Sequence, residues 1–327
     1  MSLVSIIVPC YNEEATIRLL LISIYTQSYP RNEIEVVLAD GMSTDQTRSV
    51  VATFQKECPD LLVRVVDNPK RIIPAGVNCA LEAAQGEFIV RLDGHSMPYP
   101  DYIQNCVGDL QASKGDNVGG VWEIHPTGAG WIARSIAAAA AHPFGVGDAL
   151  YRFTHRAGKV DTVPFGAFRR SLFDQVGKFD ESLLTNEDYE FNTRIRQQGG
   201  TVWLDPAIRS VYFARANLGA LAQQYWRYGF WKLRMLRRYP ETLRWRQALP
   251  PLFIAGCLAL ALLSILWVTA RWMLVIIMIL YFSLLVFGSL PVAYRQKDAR
   301  LLIGIPLAIA TMHFSWGAGF LRSLIDK

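Results

Sequence analysis

The 327-residue sequence predicts an α/β domain with a mainly parallel sheet, followed by an interfacial helix and C-terminal transmembrane helices. Three observations support this fold class. Short β-rich runs alternate with helical segments early in the chain, a segment rich in arginine and aromatic residues comes next, and the last third is apolar and nearly free of charge. The hydrophobic fraction of 51% is therefore an average over two different compositions.

The β-rich runs and the helices between them indicate the order of the predicted sheet. Four runs are typical of strands, at residues 4–8, 35–39, 62–66 and 88–92. Helices are expected from Asn12 to about residue 27, from a Ser43–Gln46 capping box to residue 57, and from Pro74 to residue 84. Strands that alternate with helices in this way form a parallel sheet with helices on both faces.

Polar clusters follow three of these strands: Pro9-Cys10-Tyr11, Asp40-Gly41 and Asp93-Gly94-His95. Ligands bind beyond the carboxyl ends of strands in such sheets, so we expect the clusters to meet at one site. There is no GxGxxG after the first strand and no P-loop, which argues against a dehydrogenase or an NTPase. The pair Asp93 and His95 suits Mn²⁺ better than Mg²⁺, although an isolated Asp-x-His is more often a chance pattern.

Three stretches without a charged side chain predict three transmembrane spans. They lie between Arg246 and Arg271, between Arg271 and Arg295, and between Arg300 and Arg322. Each is long enough to cross roughly 30 Å of hydrocarbon as a helix, which places the spans near 250–270, 272–294 and 301–321. The third contains Gly304, Pro306 and His313, so a re-entrant or tilted helix is an alternative there. A buried hairpin in a soluble protein is the alternative for the whole region.

Basic residues predict the orientation of these spans. Segment 225–246 carries seven arginines and lysines against one glutamate, and the loop 295–300 is also basic. Both are expected on the cytoplasmic side of an inner membrane, with the N-terminal domain in the cytosol. The net charge of +5 and the position of the basic cluster indicate anionic lipid headgroups as the partner, not nucleic acid.

The segment 217–240 has the pattern of an interfacial amphipathic helix. Arg227, Trp231, Arg234 and Arg238 fall on one face of it. Basic and aromatic residues beside a span favour the headgroup layer, and a merely solvated helix is the alternative. The predicted domains are therefore 1–215 as the cytosolic domain, 216–248 as the interfacial helix and linker, and 249–327 as the membrane domain.

Several motifs in order resemble the inverting family 2 glycosyltransferases. They are residues 4–14, Asp40 to Thr47, the helix of Asn78, Arg91 to His95, and Asn186 to Glu190. The resemblance covers about residues 1–230 and implies a GT-A fold, a nucleotide-sugar donor and transfer of one sugar with inversion. Within the family, Asp-x-His, residues 142–147 and the three spans are most similar to succinoglycan-type enzymes of exopolysaccharide assembly.

The resemblance also implies roles for individual residues on the donor side. Expected donor-binding residues are Pro9, Tyr11, Glu13, Asp40, Arg71, Asn78 and Asp93. Among them, Asp40 would hold the base, typically uracil, and Asp93 would lie near the ribose and diphosphate. His95 replaces the second acid of the usual Asp-x-Asp motif, so Asp93 and His95 are the expected ligands of a divalent metal, Mn²⁺ or Mg²⁺.

The remaining expected roles concern catalysis and the acceptor. Asp188 matches the general base, with Glu187 beside it, although acids in the first turn of a helix are common in any protein. Gly166 and Ala167 are expected to line the acceptor pocket, with a plain bulge as the alternative. Arg227 and Arg234 are candidates for contacts with a lipid diphosphate, with general headgroup binding as the alternative.

Together these expectations describe transfer of one hexose or N-acetylhexosamine from a UDP-sugar to a polyprenyl-diphosphate-linked saccharide at the cytosolic face. Transfer directly onto polyprenyl phosphate is a closely related alternative. A non-catalytic membrane protein that binds nucleotide sugars is an alternative from another class. The sugar, the linkage, the acceptor glycan and the oligomeric state are left open by the sequence.

Overall fold

The computed structural model describes residues 3–326, and the chain divides into two compact units. The first, here called the sheet unit, contains Met1–Glu123 and Thr154–Tyr212. The second, here called the helical unit, contains Ile124–Phe153 and Phe213–Lys327. This division differs from the single boundary expected near residue 215, because residues 124–153 leave the sheet unit and belong to the helical unit.

The described residues form a nine-stranded mixed sheet. Its strands are β1 (Val4–Cys10), β2 (Ile34–Asp40), β3 (Leu62–Asp67), β4 (Phe88–Arg91), β5 (Met97–Pro98), β6 (Asn117–Pro126), β7 (Gly158–Lys159), β8 (Ala167–Arg169) and β9 (Val202–Ala214). The spatial order is β3-β2-β1-β4-β8-β6-β9-β5, and β7 pairs with β9. The half built from β1 to β4 is parallel, as predicted, whereas β8 pairs antiparallel with both β4 and β6.

Twelve helices lie within the described residues. They are α1 (Ile17–Tyr25), α2 (Thr47–Glu57), α3 (Ile73–Ala83), α4 (Tyr102–Gln111), α5 (Trp131–Ala140), α6 (Pro143–Val146), α7 (Leu172–Val176), α8 (Glu187–Gln197), α9 (Leu218–Leu236), α10 (Trp245–Leu263), α11 (Val268–Gln296) and α12 (Leu301–Ile325). In the sheet unit, α1, α2 and α4 share one hydrophobic core with β1, β2 and β4, and α3 packs against β1 and β2. With both faces covered, every residue of β1 is buried, which explains why apolar residues do not alternate with polar ones along it, although it contains Ser5.

Two of the predicted helix starts are wrong. Helix α1 begins at Ile17 and not at Asn12, which has a left-handed φ of 54°. Helix α2 begins at Thr47, and Ser43 does not cap it. Both residues serve instead to join loops, because the backbone N–H of Asn12 donates to Ser43 Oγ over 2.9 Å and Asn12 Oδ1 accepts from the N–H of Thr44 over 2.9 Å. Polar residues before a helix thus bind the neighbouring loop, in competition with a cap.

The helical unit contains three helices that are long and apolar enough to cross a membrane: α10, α11 and α12. They begin and end at residues different from the predicted spans, since α10 already starts at Trp245 and α11 extends to Gln296. Helix α9, predicted as an interfacial helix, packs against α12. Lys232, one of the seven cations of segment 225–246, is only 1% exposed and has its Nζ 3.4 Å from Thr242 Oγ1.

The segment of α5 and α6 is attached to α11 and α12 by hydrogen bonds to backbone carbonyls. His142 Nε2 donates to the carbonyl oxygen of Gly288 over 3.1 Å. His313 Nε2 donates to the carbonyl oxygen of Phe144 over 2.9 Å, and its Nδ1 accepts from the hydroxyl of Tyr281 over 3.0 Å. Both histidines therefore have a structural role within the helical unit, where each satisfies a backbone carbonyl of a neighbouring segment.

Candidate active site

The loops that follow β1 and β2 are tied together at the carboxyl edge of the parallel strands. The N–H of Glu13 donates to Thr47 Oγ1 over 2.8 Å, and the N–H of Gly41 donates to the carbonyl of Cys10 over 2.8 Å. A Cβ on Gly41 would lie 3.2 Å from the Cβ of Tyr11, so the glycine allows the two loops to approach closely. Pro9 is buried at this edge, whereas the ring of Tyr11 is 45% exposed.

Asp40 ends β2 as a buried carboxylate, only 1% exposed, with a complete set of polar partners. It accepts from Arg48 Nε over 2.5 Å and from Ser43 Oγ over 2.5 Å. Arg48 also reaches Asp67 over 2.5 Å. Arg48 was missed by the sequence reasoning, although its position in the first turn of α2, eight residues after Asp40, was a usable signal. Contact of Asp40 with a nucleotide base stays a prediction.

Glu13 and His95 connect the loop after β1 with the loop after β4. His95 Nδ1 lies 3.1 Å from Glu13 Oε1, and Thr16 Oγ1 also donates to the Glu13 carboxylate. Burial alone would raise the pKa of Glu13, but the hydrogen bonds from His95 and Thr16 outweigh burial and lower it. Glu13 is therefore ionised at neutral pH and orients the His95 imidazole.

Arg91, the last residue of β4, lies buried beneath this edge and was given no role by the sequence reasoning. It is 4% exposed, and its Nη2 lies 2.8 Å from Glu187 Oε1 and 3.5 Å from Asp93 Oδ1. Its Nε and Nη1 have no hydrogen-bond partner among residues 3–326. Burial would lower the pKa of Arg91, but the charges of Glu187, Asp93 and Asp188 more than offset this and raise it. A fixed positive charge therefore lies among the site acids.

Glu187 and Asp188 are the first two residues of α8. Glu187 is 6% exposed and bound by Arg91, whereas Asp188 is partly exposed and its Oδ1 accepts from the N–H of Tyr189 over 2.7 Å. Burial raises the pKa of both carboxyls, and the positive charge of Arg91 opposes that rise. Asp188 is thus the member of the pair that a substrate can reach, and Glu187 holds Arg91 in place.

Asn78 has a structural role and not the donor-binding role that was expected. Its amide donates to the carbonyl of Phe179 and to Glu181 Oε1, both over 3.0 Å, and its oxygen accepts from the N–H of Phe179 over 3.0 Å. These bonds use both N–H groups of the side chain. Asn78 therefore positions the segment that precedes α8, and no N–H of its side chain is left to bind the sugar donor. Arg71, also expected on the donor side, is exposed and has a left-handed φ of 56°.

Gly166 and Ala167 do not form an acceptor pocket as expected. Ala167 is fully buried in β8, between Val90 of β4 and Val118 of β6, so its side chain cannot contact an acceptor. Gly166 has a φ of 95°, and a Cβ there would lie 2.5 Å from Asn117 Oδ1. The close approach inferred at Gly166 is therefore made by a buried protein side chain, not by a substrate.

Arg227 and Arg234, the two expected contacts for a lipid diphosphate, both belong to α9 of the helical unit. Arg227 is exposed. The guanidinium of Arg234 lies 4.8 Å from the ring centroid of Phe230 and 5.0 Å from that of Trp231, and its Nη2 lies 3.6 Å from Asp326. Arg234 is thus held by aromatic and acidic neighbours, whereas Arg227 presents its charge to the surroundings.

Asp93 and His95 provide a carboxylate and an imidazole, both of which are ligands of Mn²⁺. The hydrogen bond of His95 Nδ1 to Glu13 is the usual arrangement for a histidine that ligates a metal through its other nitrogen. Within residues 3–326, no group of three or more His, Cys, Asp or Glu side chains could hold an ion. The residues present therefore fit a metal held jointly with oxygens of a bound ligand.

Comparisons with known proteins show which family the chain resembles. The model of the family described as "Glycosyl transferase family 2" matches residues 5–177. The chain is 31% identical over 323 residues to the succinoglycan biosynthesis protein ExoA of Rhizobium meliloti (strain 1021), covering 98% of this chain and 94% of that protein. It is 26% identical over 332 residues, covering 99% and 98% respectively, to the dolichyl N-acetyl-alpha-D-glucosaminyl phosphate 3-beta-D-2,3-diacetamido-2,3-dideoxy-beta-D-glucuronosyltransferase of Methanococcus voltae.

Solved structures confirm the GT-A fold. The mannosyltransferase PcManGT from Pyrobaculum calidifontis, in complex with GDP-Man and Mn²⁺, has a TM-score of 0.70 at 22% identity and covers 100% of this chain and 88% of its own. Residues 1–349 of TarS from S. aureus, in complex with UDP-GlcNAc, have a TM-score of 0.53 at 16% identity and cover 99% and 92%. With the family match over residues 5–177, these findings establish that the chain belongs to glycosyl transferase family 2 and is a glycosyltransferase.

Proposed function

We propose that the protein transfers one sugar, with inversion, from a UDP-sugar to a saccharide carried on polyprenyl diphosphate. The reaction takes place at the cytosolic face of the inner membrane and serves the assembly of an exopolysaccharide or a related glycan. One observation carries the proposal: the partly exposed Asp188 lies beside the buried Arg91–Glu187 pair, whose arginine also approaches Asp93. A candidate base and a candidate donor-binding acid are thereby linked through one fixed cation.

The bond changes define what Asp188 has to do. An acceptor hydroxyl attacks the anomeric carbon of the donor from the side opposite the nucleoside diphosphate. The bond from that carbon to the acceptor oxygen forms, the bond to the diphosphate oxygen breaks, and the hydroxyl proton passes to the Asp188 carboxylate. A raised pKa makes Asp188 a stronger base than an ordinary aspartate.

Arg91 and Glu187 act as positioning residues in this scheme. Arg91 is bound to Glu187 over 2.8 Å and opposes the rise in the pKa of Asp188 that burial causes. Its positive charge therefore keeps the base ionised in a poorly solvated place. Asp93 and His95 would hold a divalent ion that offsets the negative charge of the donor diphosphate. Glu13 fixes the orientation of His95 through the 3.1 Å contact between them.

The lipid-linked acceptor is supported by composition and by the names of relatives. Three long apolar helices follow the basic helix α9, so the chain is suited to work where a polyprenyl carrier resides. One relative is named for succinoglycan biosynthesis, and another for transfer to a dolichyl phosphate that already carries a sugar. The second name supports a sugar already carried on a lipid as the acceptor, in preference to bare polyprenyl phosphate, and the first supports a role in glycan assembly.

The test uses the full-length protein in detergent or in lipid vesicles. A panel of UDP-sugars, with GDP-mannose as the donor bound by the structural neighbour PcManGT, is offered together with either a glycosylated polyprenyl diphosphate or polyprenyl phosphate. We expect UDP release that depends on the glycosylated lipid. NMR should show that the anomeric configuration of the product is inverted relative to that of the donor. Turnover with GDP-mannose alone would overturn the donor assignment, and turnover with bare polyprenyl phosphate would overturn the acceptor assignment.

A further inference from the structure

Helix α8 of the sheet unit carries two neighbouring rows of functional and buried side chains. Residues four apart on a helix lie on the same face, so Glu187 shares one row with Phe191, and Asp188 shares the next row with Asn192. The first row is held at its start by the ion pair between Glu187 and Arg91. The second row, which contains the candidate base, is anchored one turn further along by Asn192, a side chain only 1% exposed.

The carboxamide of Asn192 is bound at both its oxygen and its nitrogen. Its Oδ1 accepts from Asn117 Nδ2 over 2.6 Å, and its Nδ2 donates to Thr162 Oγ1 over 3.0 Å. Asn117 is the first residue of β6, and Thr162 lies in the segment that precedes β8. All three side chains are buried. These three residues, here called the amide network, therefore tie α8 to two other segments of the sheet unit.

The amide network also meets the strand that carries Arg91. A Cβ on Gly166 would lie 2.5 Å from Asn117 Oδ1, so the carboxamide fills the space that a side chain at position 166 would need. The carbonyl oxygen of Gly166 in turn accepts from the backbone N–H of Arg91 over 3.0 Å. The network thus connects the row of Asp188 on α8 with the end of β4, where the buried cation is found.

Stability alone does not explain why these side chains are polar. Asn117 Oδ1 is buried and accepts no hydrogen bond from any of residues 3–326. A buried acceptor without a partner lowers the stability, whereas apolar side chains of the same shape can replace buried polar partners with little or no loss. Hydrogen bonds differ from apolar contacts in having a direction. The amide network therefore fixes the rotation of α8 about its own axis, at some loss of stability.

We propose that Asn192, held by Asn117 and Thr162, is a positioning residue for the base Asp188 and acts on it through the rotation of α8. Because helical side chains end roughly 5–6 Å from the helix axis, a rotation of about 10° would move the Asp188 carboxylate by about 1 Å. A displacement of that size can lower a rate by about 10²-fold. The inference rests on the proposed function in one respect, the assignment of Asp188 as the base.

Apolar variants of similar shape separate positioning from stability. In the full-length protein, the triple variant Asn192→Leu, Asn117→Leu and Thr162→Val removes every polar group of the amide network. We expect chemical unfolding in detergent to show wild-type or higher stability. With the best UDP-sugar of the panel and the glycosylated polyprenyl diphosphate, kcat should fall by about tenfold or more, while KM for the UDP-sugar stays within about twofold. Wild-type kcat in a stable triple variant would overturn the inference.

Thr193→Val is the matched control on the same helix. Thr193 is also buried, but its hydroxyl donates to the carbonyl of Tyr189 over 2.8 Å, so this bond lies within α8 and does not tie the helix to the sheet. The control should keep wild-type kcat. If the triple variant does not fold, Thr162→Val alone decides the question, since it removes one bond and keeps the shape. A severalfold lower kcat supports the inference, and an unchanged kcat overturns it.

A double-mutant cycle shows whether the amide network acts through Asp188. If it does, the triple variant should cause no further loss of kcat in a chain that already carries Asp188→Asn, because the group being positioned is gone. The same fold loss in both backgrounds would overturn the inference. Near-normal turnover of Asp188→Asn alone would instead refute the assignment of the base in the proposed function.

Hydrogen–deuterium exchange tests the anchor without any substrate. In the triple variant the amides of Glu187–Gln197 in α8 should exchange severalfold faster than in the wild type, because the helix opens locally, while Thr47–Glu57 in α2 should keep its rate. Unchanged exchange in α8 would overturn the inference. A chain inactive towards every UDP-sugar would refute the proposed function, whereas faster exchange confined to α8 would still support the anchoring of that helix by Asn192.

Discussion

The sheet unit and the helical unit bury polar groups in different ways. In the sheet unit the buried charge of Arg91 is neutralised by another side chain, Glu187. In the helical unit His142 is satisfied by the backbone carbonyl of Gly288. A pair of side chains places two recognisable residue types in the sequence, whereas a bond to a backbone carbonyl requires only that one helix come close to another. In the first unit the residue types of a buried pair are therefore visible in the sequence, although which charge meets which is not, whereas in the second unit even the residue types give no sign of the contact.

The largest effect expected in the sheet unit is the loss of the base. Asp188→Asn keeps the size of the side chain but removes its ability to accept a proton, so kcat should fall by about 10²–10⁴-fold. UDP binding, measured by calorimetry, should persist. Asp174→Asn, which changes an exposed acid in the first turn of α7, is the matched control and should retain wild-type kcat. Near-normal turnover of Asp188→Asn would show that the base lies elsewhere.

Removing the buried cation should destabilise the sheet unit. Arg91→Met leaves the Glu187 carboxylate buried without its partner, which costs about 3–5 kcal/mol in comparable cases. Chemical unfolding in detergent would measure the loss. The double variant Arg91→Met with Glu187→Gln should recover most of the stability, because it removes the unpaired charge, but it should not recover activity. Equal stability of the single and double variants would contradict the pairing.

In the helical unit, the addition of one methyl group should be enough to lower the stability. Gly319→Ala introduces a Cβ that overlaps the Trp226 carbonyl, and overpacking of this kind costs about 1–3 kcal/mol. Gly256→Ala in α10 is the matched control, since a Cβ there meets no atom of residues 3–326 within 4 Å. Thermal unfolding should show a lower midpoint for the first variant and an unchanged or higher one for the second. The same midpoint for both would mean that α9 and α12 are not in backbone contact.

The pH dependence of kcat/KM should reveal the pKa of the catalytic base. The carboxylate form of Asp188 is the active one, and burial raises its pKa above the ordinary value of 3.8. Activity should therefore fall as the pH drops, with a midpoint above that ordinary value. The slope should correspond to one proton, and circular dichroism at each pH would separate this effect from acid unfolding. A midpoint at or below the ordinary value would argue against a desolvated aspartate.

The smallest effect is expected at the metal-binding position. His95→Asp restores the usual second acid of the motif, so activity should be retained within about tenfold while the preference between Mn²⁺ and Mg²⁺ shifts towards Mg²⁺. Rates over a series of metal concentrations would measure the shift. Full activity of the wild-type protein in the presence of a strong chelator would contradict the assignment of Asp93 and His95 as metal ligands.

Much of the sheet unit could be predicted because strand ends carry local signals. The apolar runs predicted β1 to β4, and the polar residues after them predicted the edge where Asp93 and Asp188 are found. The antiparallel half of the sheet was harder to predict from the sequence, since β8 is only three residues long and its position depends on pairing with β4 and β6. Long-range pairing of a short strand leaves little periodicity in the sequence.

The predictions at individual site residues failed where tertiary contacts decide the role of a side chain. Asn78 and Gly166 lie in motifs typical of the family, yet Phe179 and Asn117 take up the groups expected to meet a ligand. Arg91 was overlooked because a charged residue at the end of a buried strand gives no sign of which acid it meets. Its partner Glu187 is 96 residues away in the sequence.

The hydrogen bonds of the α5–α6 segment have a consequence for the synthesis of the protein. His142 is made 146 residues before its partner Gly288, and Phe144 is made 169 residues before His313. At typical elongation rates the segment waits roughly 7 to 35 s on the ribosome before those partners exist. During that time an alanine-rich apolar helix lacks the surface of α12, against which it packs in the folded protein. A ribosome already docked at the membrane would shield it, so early targeting of the nascent chain should improve the yield of folded protein.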